Sequence, residues 1–340
     1  MRSRRWVVGV ALALLATGCA DGPTRTGAPS TVPAGSSGPV ETDGLVWAAD
    51  QVVHLADGTT VDLGAPVRGY VVAGAGVFFF PAGSEDEVGQ VGTDEAEVRL
   101  ASPDGTVTDT GLVWMTRSLR ASPDGRHLAG IDLGSGEEDR YGTPVAETVV
   151  VDLATGDEVV RSAEAMGDPG DDDLTALYED VELDVAAMTD DTTYVEAATG
   201  VLAYDLATGE GSELPEGEEP PTPPAAQDAV ESPDGRWTVV PGRRLRHRLV
   251  AADGTMLVPM AGTDRWVLDR WLDDRTVLGT AVEGPGRGAR IDPRDRTALL
   301  SCVVPSGACD VVEATAGKRV VFPLGASHVS GIVFQAGERP

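Results

Sequence analysis

Residues 122–129 read Ser-Pro-Asp-Gly-Arg-His-Leu-Ala, and residues 149–156 read Val-Val-Val-Asp-Leu-Ala-Thr-Gly. In Ser-Pro-Asp-Gly, proline presets φ at the first turn position, and aspartate tolerates the second. Glycine accepts a positive φ where the chain enters the next strand. Ser-Pro-Asp-Gly recurs at 102–105 and 232–235, and Asp-Leu-Ala-Thr-Gly recurs at 205–209. Both motifs therefore indicate hairpin turns that join short strands.

These hairpins return at a regular interval. One turn marks each predicted unit, and these turns fall near Gly74, Asp124, Asp190, Asp234 and Asp273. An acidic, glycine-rich insertion at 164–173 lengthens the second interval, so the underlying period is about 40–45 residues, which is typical of propeller blades. Continuous apolar runs such as Val77-Phe-Phe-Phe80 are typical of strands that are buried on both faces. The sequence therefore predicts an all-β fold, a β-propeller of four-stranded blades, with a plain β-sandwich as the alternative.

The 122–129 segment followed by 149–156 resembles a WD40-like repeat of the bacterial TolB type. Ser232-Pro-Asp-Gly-Arg-Trp237 repeats the opening of that motif, and the resemblance covers roughly residues 44–325. It implies that the Ser-Pro-Asp-Gly turn joins the first two strands of a blade. It also implies that the Asp-Leu-Ala-Thr-Gly turn joins the last two.

We expect a single propeller domain over residues 44–335, followed by a short tail at 336–340. Five complete units and an N-terminal hairpin at 45–63 predict six blades, and seven is the alternative. The hairpin is expected to close the ring against strands around Val320–Leu324 or Val329–Phe334.

Composition narrows the function classes. The 340 residues include 55 acidic and 26 basic side chains, which give a net charge of −29. Phosphate would repel such a chain, so no nucleic-acid partner is expected. The 42 glycines and 23 prolines also argue against a helical bundle.

The N-terminus resembles an export signal. Met1-Arg-Ser-Arg-Arg5 precedes an apolar run over 6–15 that is too short to span a bilayer, and small residues follow it. Leu15-Ala-Thr-Gly-Cys19 resembles a bacterial lipobox, with leucine one position further from the cysteine than usual. We therefore expect a lipoprotein signal peptide at 1–18 and acyl chains such as palmitate on Cys19. An ordinary signal peptide with a chance cysteine is the alternative, and Sec and twin-arginine export both remain open.

Residues 20–42 contain almost no large apolar side chain, so residues 19–43 are expected to form a disordered tether behind the lipid. The expected location is the extracytoplasmic face of the cell membrane, with a monomeric body anchored through lipid.

The two remaining cysteines are Cys302 and Cys309, which flank Val-Val-Pro-Ser-Gly-Ala. The Pro-Ser-Gly turn places them on facing strands, and an exported protein meets an oxidising environment. A structural disulfide is therefore expected.

Candidate chemistry is sparse, so no catalytic residue, cofactor or metal ligand is expected. Four carboxylates within 168–173 match a calcium loop poorly. The one basic island contains Arg243, Arg244, Arg246 and Arg248. It is either a solvated strand edge or a docking patch for an acidic partner.

Two function classes remain. The favoured expectation is a non-catalytic binding or scaffold module for an unknown protein or cell-envelope ligand, hence not an enzyme. The alternative is a lactonase-like or cyclotransferase-like propeller enzyme with a site in the central funnel.

Overall fold

The computed structural model describes residues 44–74, 76–215, 217–221, 231–284, 291 and 295–325. The predicted signal peptide at 1–18, the lipidated Cys19 with its tether at 19–43, the possible closing strand Val329–Phe334 and the tail at 336–340 lie outside the described residues.

The strands form six antiparallel sheets within the described residues, which correspond to six blades in chain order. The first three strands are β1 (Trp47–Ala49), β2 (Val52–His54) and β3 (Thr60–Asp62). Blade one contains β4 (Val67–Ala73), β5 (Gly76–Pro81), β6 (Glu95–Ala101) and β7 (Val107–Met115). Blade two contains β8 (Arg120–Ala121), β9 (His127–Asp132), β10 (Glu147–Asp152) and β11 (Asp157–Ser162).

The helix α1 (Leu174–Asp180) precedes blade three, which contains β12 (Asp184–Met188), β13 (Thr192–Ala197), β14 (Gly200–Asp205) and β15 (Gly211–Glu213). Blade four contains β16 (Trp237–Val240), β17 (Arg248–Ala251) and β18 (Met256–Leu257). Blade five contains β19 (Arg265–Trp271), β20 (Thr276–Glu283), β21 (Arg296–Val303) and β22 (Ala308–Val312). Short 3-10 helices cover Glu85–Glu87 and Glu313–Thr315.

The last strand, β23 (Val320–Val321), closes the ring. It pairs with β1, with Ala48 opposite Val321 and Ala49 opposite Val320, and completes the closing blade in the order β23-β1-β2-β3. Closure by the 320–324 segment is therefore confirmed. The all-β propeller of six blades is also confirmed. One detail differs from the expectation, because the sheet of blade four has three strands, with an antiparallel bridge between Glu231 and Thr238 in the place of its first strand.

The predicted turns join the first two strands of their blades. At Ser122–Gly125, the Ser122 hydroxyl donates to Asp124 Oδ1 at 2.6 Å, and the Arg126 amide donates to the same oxygen at 2.9 Å. Gly125 has a φ of 68°, as this turn requires. The turn at Ser232–Gly235 repeats this hydrogen-bond set, at 2.7 Å and 3.0 Å.

The third copy of the motif behaves differently. Ser102–Gly105 lies between β6 and β7, the last two strands of blade one. Both Asp-Leu-Ala-Thr-Gly turns join the last two strands of blades two and three, as the resemblance implied.

Apolar side chains pack between neighbouring blades. One buried cluster joins Phe78 and Phe80 of blade one with Leu128 and Val149 of blade two, around the fully buried Trp114. Burial of both faces explains why these strands lack polar alternation.

The acidic insertion serves a structural purpose. Asp173 caps α1 by accepting a hydrogen bond from the Ala176 amide, and Asp139 Oδ2 accepts one from the Leu174 amide. No group of three or more His, Cys, Asp or Glu side chains able to hold a metal ion occurs in the described ranges.

Cys302 lies directly opposite Cys309 in the β21–β22 register, and the two form a disulfide bond with Cα atoms 4.0 Å apart. This bridge joins the two outer strands of blade five.

In the part of the chain that the structure describes, no helix is long and apolar enough to cross a membrane.

Candidate functional site

The inner strands of the blades face a common axis. The strand β23 contacts β4, β4 contacts β8, and β8 contacts β12. Their first turns are joined as well, because the Gly74 amide donates to the Gly125 carbonyl at 2.6 Å and the Asp124 amide donates to Asp190 Oδ1 at 2.9 Å. The inner strands of the closing blade and of blades one, two and three are therefore held next to one another around this axis.

A cavity of about 660 Å³ lies on this axis. Its wall combines residues from the inner strands of blades one, two, three and five with the closing blade, and it includes Pro221 of the connection that leads to blade four. Most lining side chains are apolar, such as Val72, Met188 and Leu324. Two arginines, Arg120 and Arg270, add positive charge to this wall, and Asp273 adds one carboxylate.

Arg270 is a cation in a largely apolar environment. It is only 4% exposed, and its guanidinium carbon lies 4.8 Å from the centroid of the Phe322 ring, a cation–π distance. Burial lowers the pKa of Arg270, while the neighbouring Asp269 carboxylate, 3.6 Å from its Nε, opposes that effect. A positive charge in so dry a setting interacts strongly with any anionic group that enters the cavity.

Arg120 is fixed by its surroundings. Its Nη1 donates to the Arg117 and Leu119 carbonyls at 2.6 Å and 3.0 Å, and its Nη2 lies 3.0 Å from Asp184 Oδ2. Gly325 permits this arrangement, because a Cβ there would lie 2.7 Å from Arg120 Cδ and the residue has a φ of +73°. The arginine is thus held in place from three sides.

Asp184 is the acidic partner of Arg120. Burial raises the pKa of Asp184 to about 6, although Arg120 and Arg117 act in the opposite direction. Its second oxygen, Oδ1, is buried and accepts no hydrogen bond from the described residues.

Trp271 supplies an unpaired donor in the cavity wall. Its indole Nε1 is buried and has no acceptor among the residues described. Buried donors of this kind are rare in folded proteins and need a water or ligand partner. Together with Arg270, this donor equips the cavity to hold a ligand that accepts hydrogen bonds.

The basic island lies away from this axial cavity. Arg243, Arg244, Arg246 and Arg248 line a second cavity of about 480 Å³ on blade four. The structure therefore brings the four arginines together but does not bring them to the axis.

Sequence reasoning missed most of the axial site. It singled out neither Arg120 nor Arg270. One feature of the sequence could have indicated these residues. Each arginine lies in an inner strand, close to the first hairpin turn of its blade, where the other blades carry small or apolar residues.

No family model and no curated protein matches the chain. Among solved structures, a puromycin-hydrolyzing peptidase of Mycobacterium tuberculosis is 15% identical over 77% of this chain and 42% of that chain, with a TM-score of 0.28. A putative TolB of Agrobacterium tumefaciens is 12% identical over 72% of this chain and 79% of that chain, with a TM-score of 0.28. The dihydro-heme d1 dehydrogenase NirN is 16% identical over 85% and 57%, with a TM-score of 0.31.

The chain spans less than half of the length of the peptidase. The expectation that the chain is not an enzyme is corrected, because a hydrolysing peptidase is among the similar structures. The propeller fold gives no ground for excluding catalysis.

Proposed function

We propose that this protein is a ligand-binding propeller whose binding site is the axial cavity. Its ligand is a cell-envelope molecule or a segment of a partner protein that is partly apolar and carries an anionic, hydrogen-bond-accepting group. A lipid on Cys19 and the tether at 19–43 hold the monomeric propeller at the extracytoplasmic face of the cell membrane.

The observation that carries the proposal is Arg270, a buried cation in the largely apolar wall of the axial cavity. A volume of about 660 Å³ lies within the range of small-molecule sites, which combine apolar lining with a few polar groups. Arg270 and the Trp271 indole supply those polar groups next to Phe322. An anion would pair with Arg270 where water screens it little.

The membrane location is supported by the sequence. The apolar segment at 6–15 leads to small residues and Cys19, and the following segment has too few large apolar side chains to fold on its own. Because the body is acidic, acyl chains rather than overall charge would provide the attachment.

The test is native mass spectrometry of the full chain purified from membranes in an uncharged detergent. Wild-type protein should carry a bound species. Ala186→Phe, which fills the cavity wall in β12, should lose it. The control Ala203→Phe adds the same bulk to β14 of the same blade, outside the lining, and should keep it.

Arg270→Gln removes the charge but retains much of the length of the side chain. It should lose an anionic ligand while Ala203→Phe retains it. A bound species that survives both Ala186→Phe and Arg270→Gln would contradict the proposed site. Hydrolysis of an ester, lactone or peptide that disappears in Ala186→Phe would locate turnover in the same cavity.

A further inference from the structure

The second cavity, on blade four, collects four arginine side chains in one concave surface. Arg243, Arg244, Arg246 and Arg248 share its lining with Val240, Val250 and Met256, and all four arginines are exposed. In a chain with 55 acidic side chains, such a concentration of positive charge stands out against its surroundings.

Two of these arginines are held by neighbours. Arg246 Nε donates to the Asp264 carbonyl at 2.6 Å, and its guanidinium lies 5.9 Å from the centroid of the Trp266 ring. Arg248 Nη1 lies 3.3 Å from Met256 Sδ. Within the described residues, Arg243 and Arg244 form no hydrogen bond or ion pair through their side chains. Their guanidinium groups are therefore available to a ligand.

The backbone of the island is constrained. Arg244 and Leu245 have φ values of 59° and 57°, a left-handed conformation that side-chain-bearing residues seldom adopt. The Trp266 amide donates to the Leu245 carbonyl at 2.5 Å, and a parallel bridge links Arg246 with Trp266. Contacts with blade five thus fix an unfavourable backbone that presents adjacent arginines on the surface.

An exposed aliphatic row runs beside the arginines. Every second residue along the outer strand of blade four and its continuation has an exposed apolar side chain. These residues are Met256, Val258 and Met260, which are 55%, 54% and 62% exposed. Val240, on the same blade, is 39% exposed. A cationic pocket flanked by exposed aliphatic side chains is suited to a ligand with an anionic head and an apolar body.

We propose that this face binds the phosphate headgroup of an anionic phospholipid in the membrane surface. Guanidinium groups pair with phosphate oxygens in bidentate geometry, and the aliphatic row enters the adjacent interfacial region of the bilayer. The remainder of the acidic body is repelled by anionic lipid, so contact through this face sets the orientation of the propeller. The orientation rests on the membrane location proposed above, whereas headgroup binding does not.

The experiment uses the full chain in an uncharged detergent, titrated with dihexanoyl phosphatidylglycerol, dihexanoyl phosphatidylcholine or inorganic phosphate at constant ionic strength. Isothermal calorimetry measures binding, and tryptophan fluorescence provides a second signal because Arg246 lies over Trp266. We expect saturable binding of the phosphatidylglycerol and at least tenfold weaker binding of the phosphatidylcholine and of phosphate.

The variant Arg243→Ala/Arg244→Ala tests the pocket without disturbing a described side-chain contact. An arginine close to anionic lipid contributes about fivefold to binding, so loss of the pair should weaken phosphatidylglycerol binding about 25-fold. The control Arg140→Ala/Arg236→Ala changes the net charge equally at exposed positions outside this cavity and should bind as wild type does.

Three results would overturn the proposal: equal affinity for the two lipids, unchanged affinity in Arg243→Ala/Arg244→Ala, or phosphate binding as tight as that of phosphatidylglycerol. Tighter binding of a hexaglutamate peptide would assign the face to an acidic protein segment instead. Since the titration needs neither a lipid on Cys19 nor a ligand in the axial cavity, its failure is distinguishable from failure of the proposed function.

Discussion

Replacement of Asp184 by asparagine tests, through the pH dependence of stability, how burial acts on the carboxyl that pairs with Arg120 of the cavity wall. Burial raises the pKa of Asp184 in the folded protein to about 6 from an ordinary value of 3.8. Below 3.8 the carboxyl is neutral in both the folded and the unfolded chain. As the pH rises, the unfolded chain ionises first, so the stability contributed by this group is lost between 3.8 and about 6.

The size of this effect follows from the two pKa values. The full difference between them corresponds to about 3 kcal/mol, of which about 2 kcal/mol falls between about pH 4.5 and about pH 7. Solvent screening reduces this free energy only a little, because the Asp184 side chain is 21% exposed. Asp184→Asn does not titrate. Its unfolding free energy relative to wild type should therefore rise by about 2 kcal/mol over that interval.

Urea unfolding followed by fluorescence at several pH values measures this relative free energy. Asp57→Asn is the control, because hydrogen bonds from Thr59 lower the pKa of the exposed Asp57. Its contribution is lost only below pH 3.8, so the relative stability of this variant should stay nearly constant over the same interval. A relative stability of Asp184→Asn that stays constant with pH, or that falls as the pH rises, would show that burial does not raise the pKa of Asp184.

Three further predictions concern packing, the disulfide and the anchor. Gly130→Ala would place a Cβ 2.2 Å from Trp114 Cε3, so it should cost about 1–3 kcal/mol in urea unfolding, whereas Gly92→Ala, in ordinary contact with Asp94, should cost far less. Reduction of the Cys302–Cys309 bond should lower the unfolding free energy by about 2.5 kcal/mol, the value for a closed loop of eight residues in the chain-entropy model. Equal urea midpoints with and without reductant would contradict that prediction. Cys19→Ala should leave the membrane fraction or accumulate as precursor in cell fractionation, and normal processing with retained membrane attachment would argue against the lipid anchor.

The fold could be predicted because its signals are local. The turns at Ser122–Gly125 and Ser232–Gly235 are formed by hydrogen bonds among four or five consecutive residues. The identities of those residues can be read directly from the sequence. The disulfide was predictable for the same reason, since a short hairpin places Cys302 opposite Cys309. Local chemistry does not specify the position of a hairpin within its blade, which is why the motif at Ser102–Gly105 joins a different pair of strands.

The axial site could not be predicted because it depends on distant parts of the chain. Arg120 of blade two and Asp184 of blade three are 64 residues apart, and Arg270 belongs to blade five. In the sequence, nothing distinguishes these residues from the other charged residues. Arg270 is buried against Phe322 only because the ring closes and brings blade five next to the closing blade. The helix α1 escaped prediction for a similar reason, because Asp139, 35 residues away, accepts a hydrogen bond from its first amide.

The most direct test of ligand binding in the axial cavity is photo-crosslinking from inside that cavity in intact cells. A photoreactive phenylalanine analogue replaces Ala186, which lines the cavity, or Ala203, which does not. We expect a discrete adduct from position 186 that is lost when Arg270→Gln is added, and no such adduct from position 203. Equal labelling from both positions, or an adduct from 186 that persists with Arg270→Gln, would contradict the claim that the cavity is a ligand-binding site.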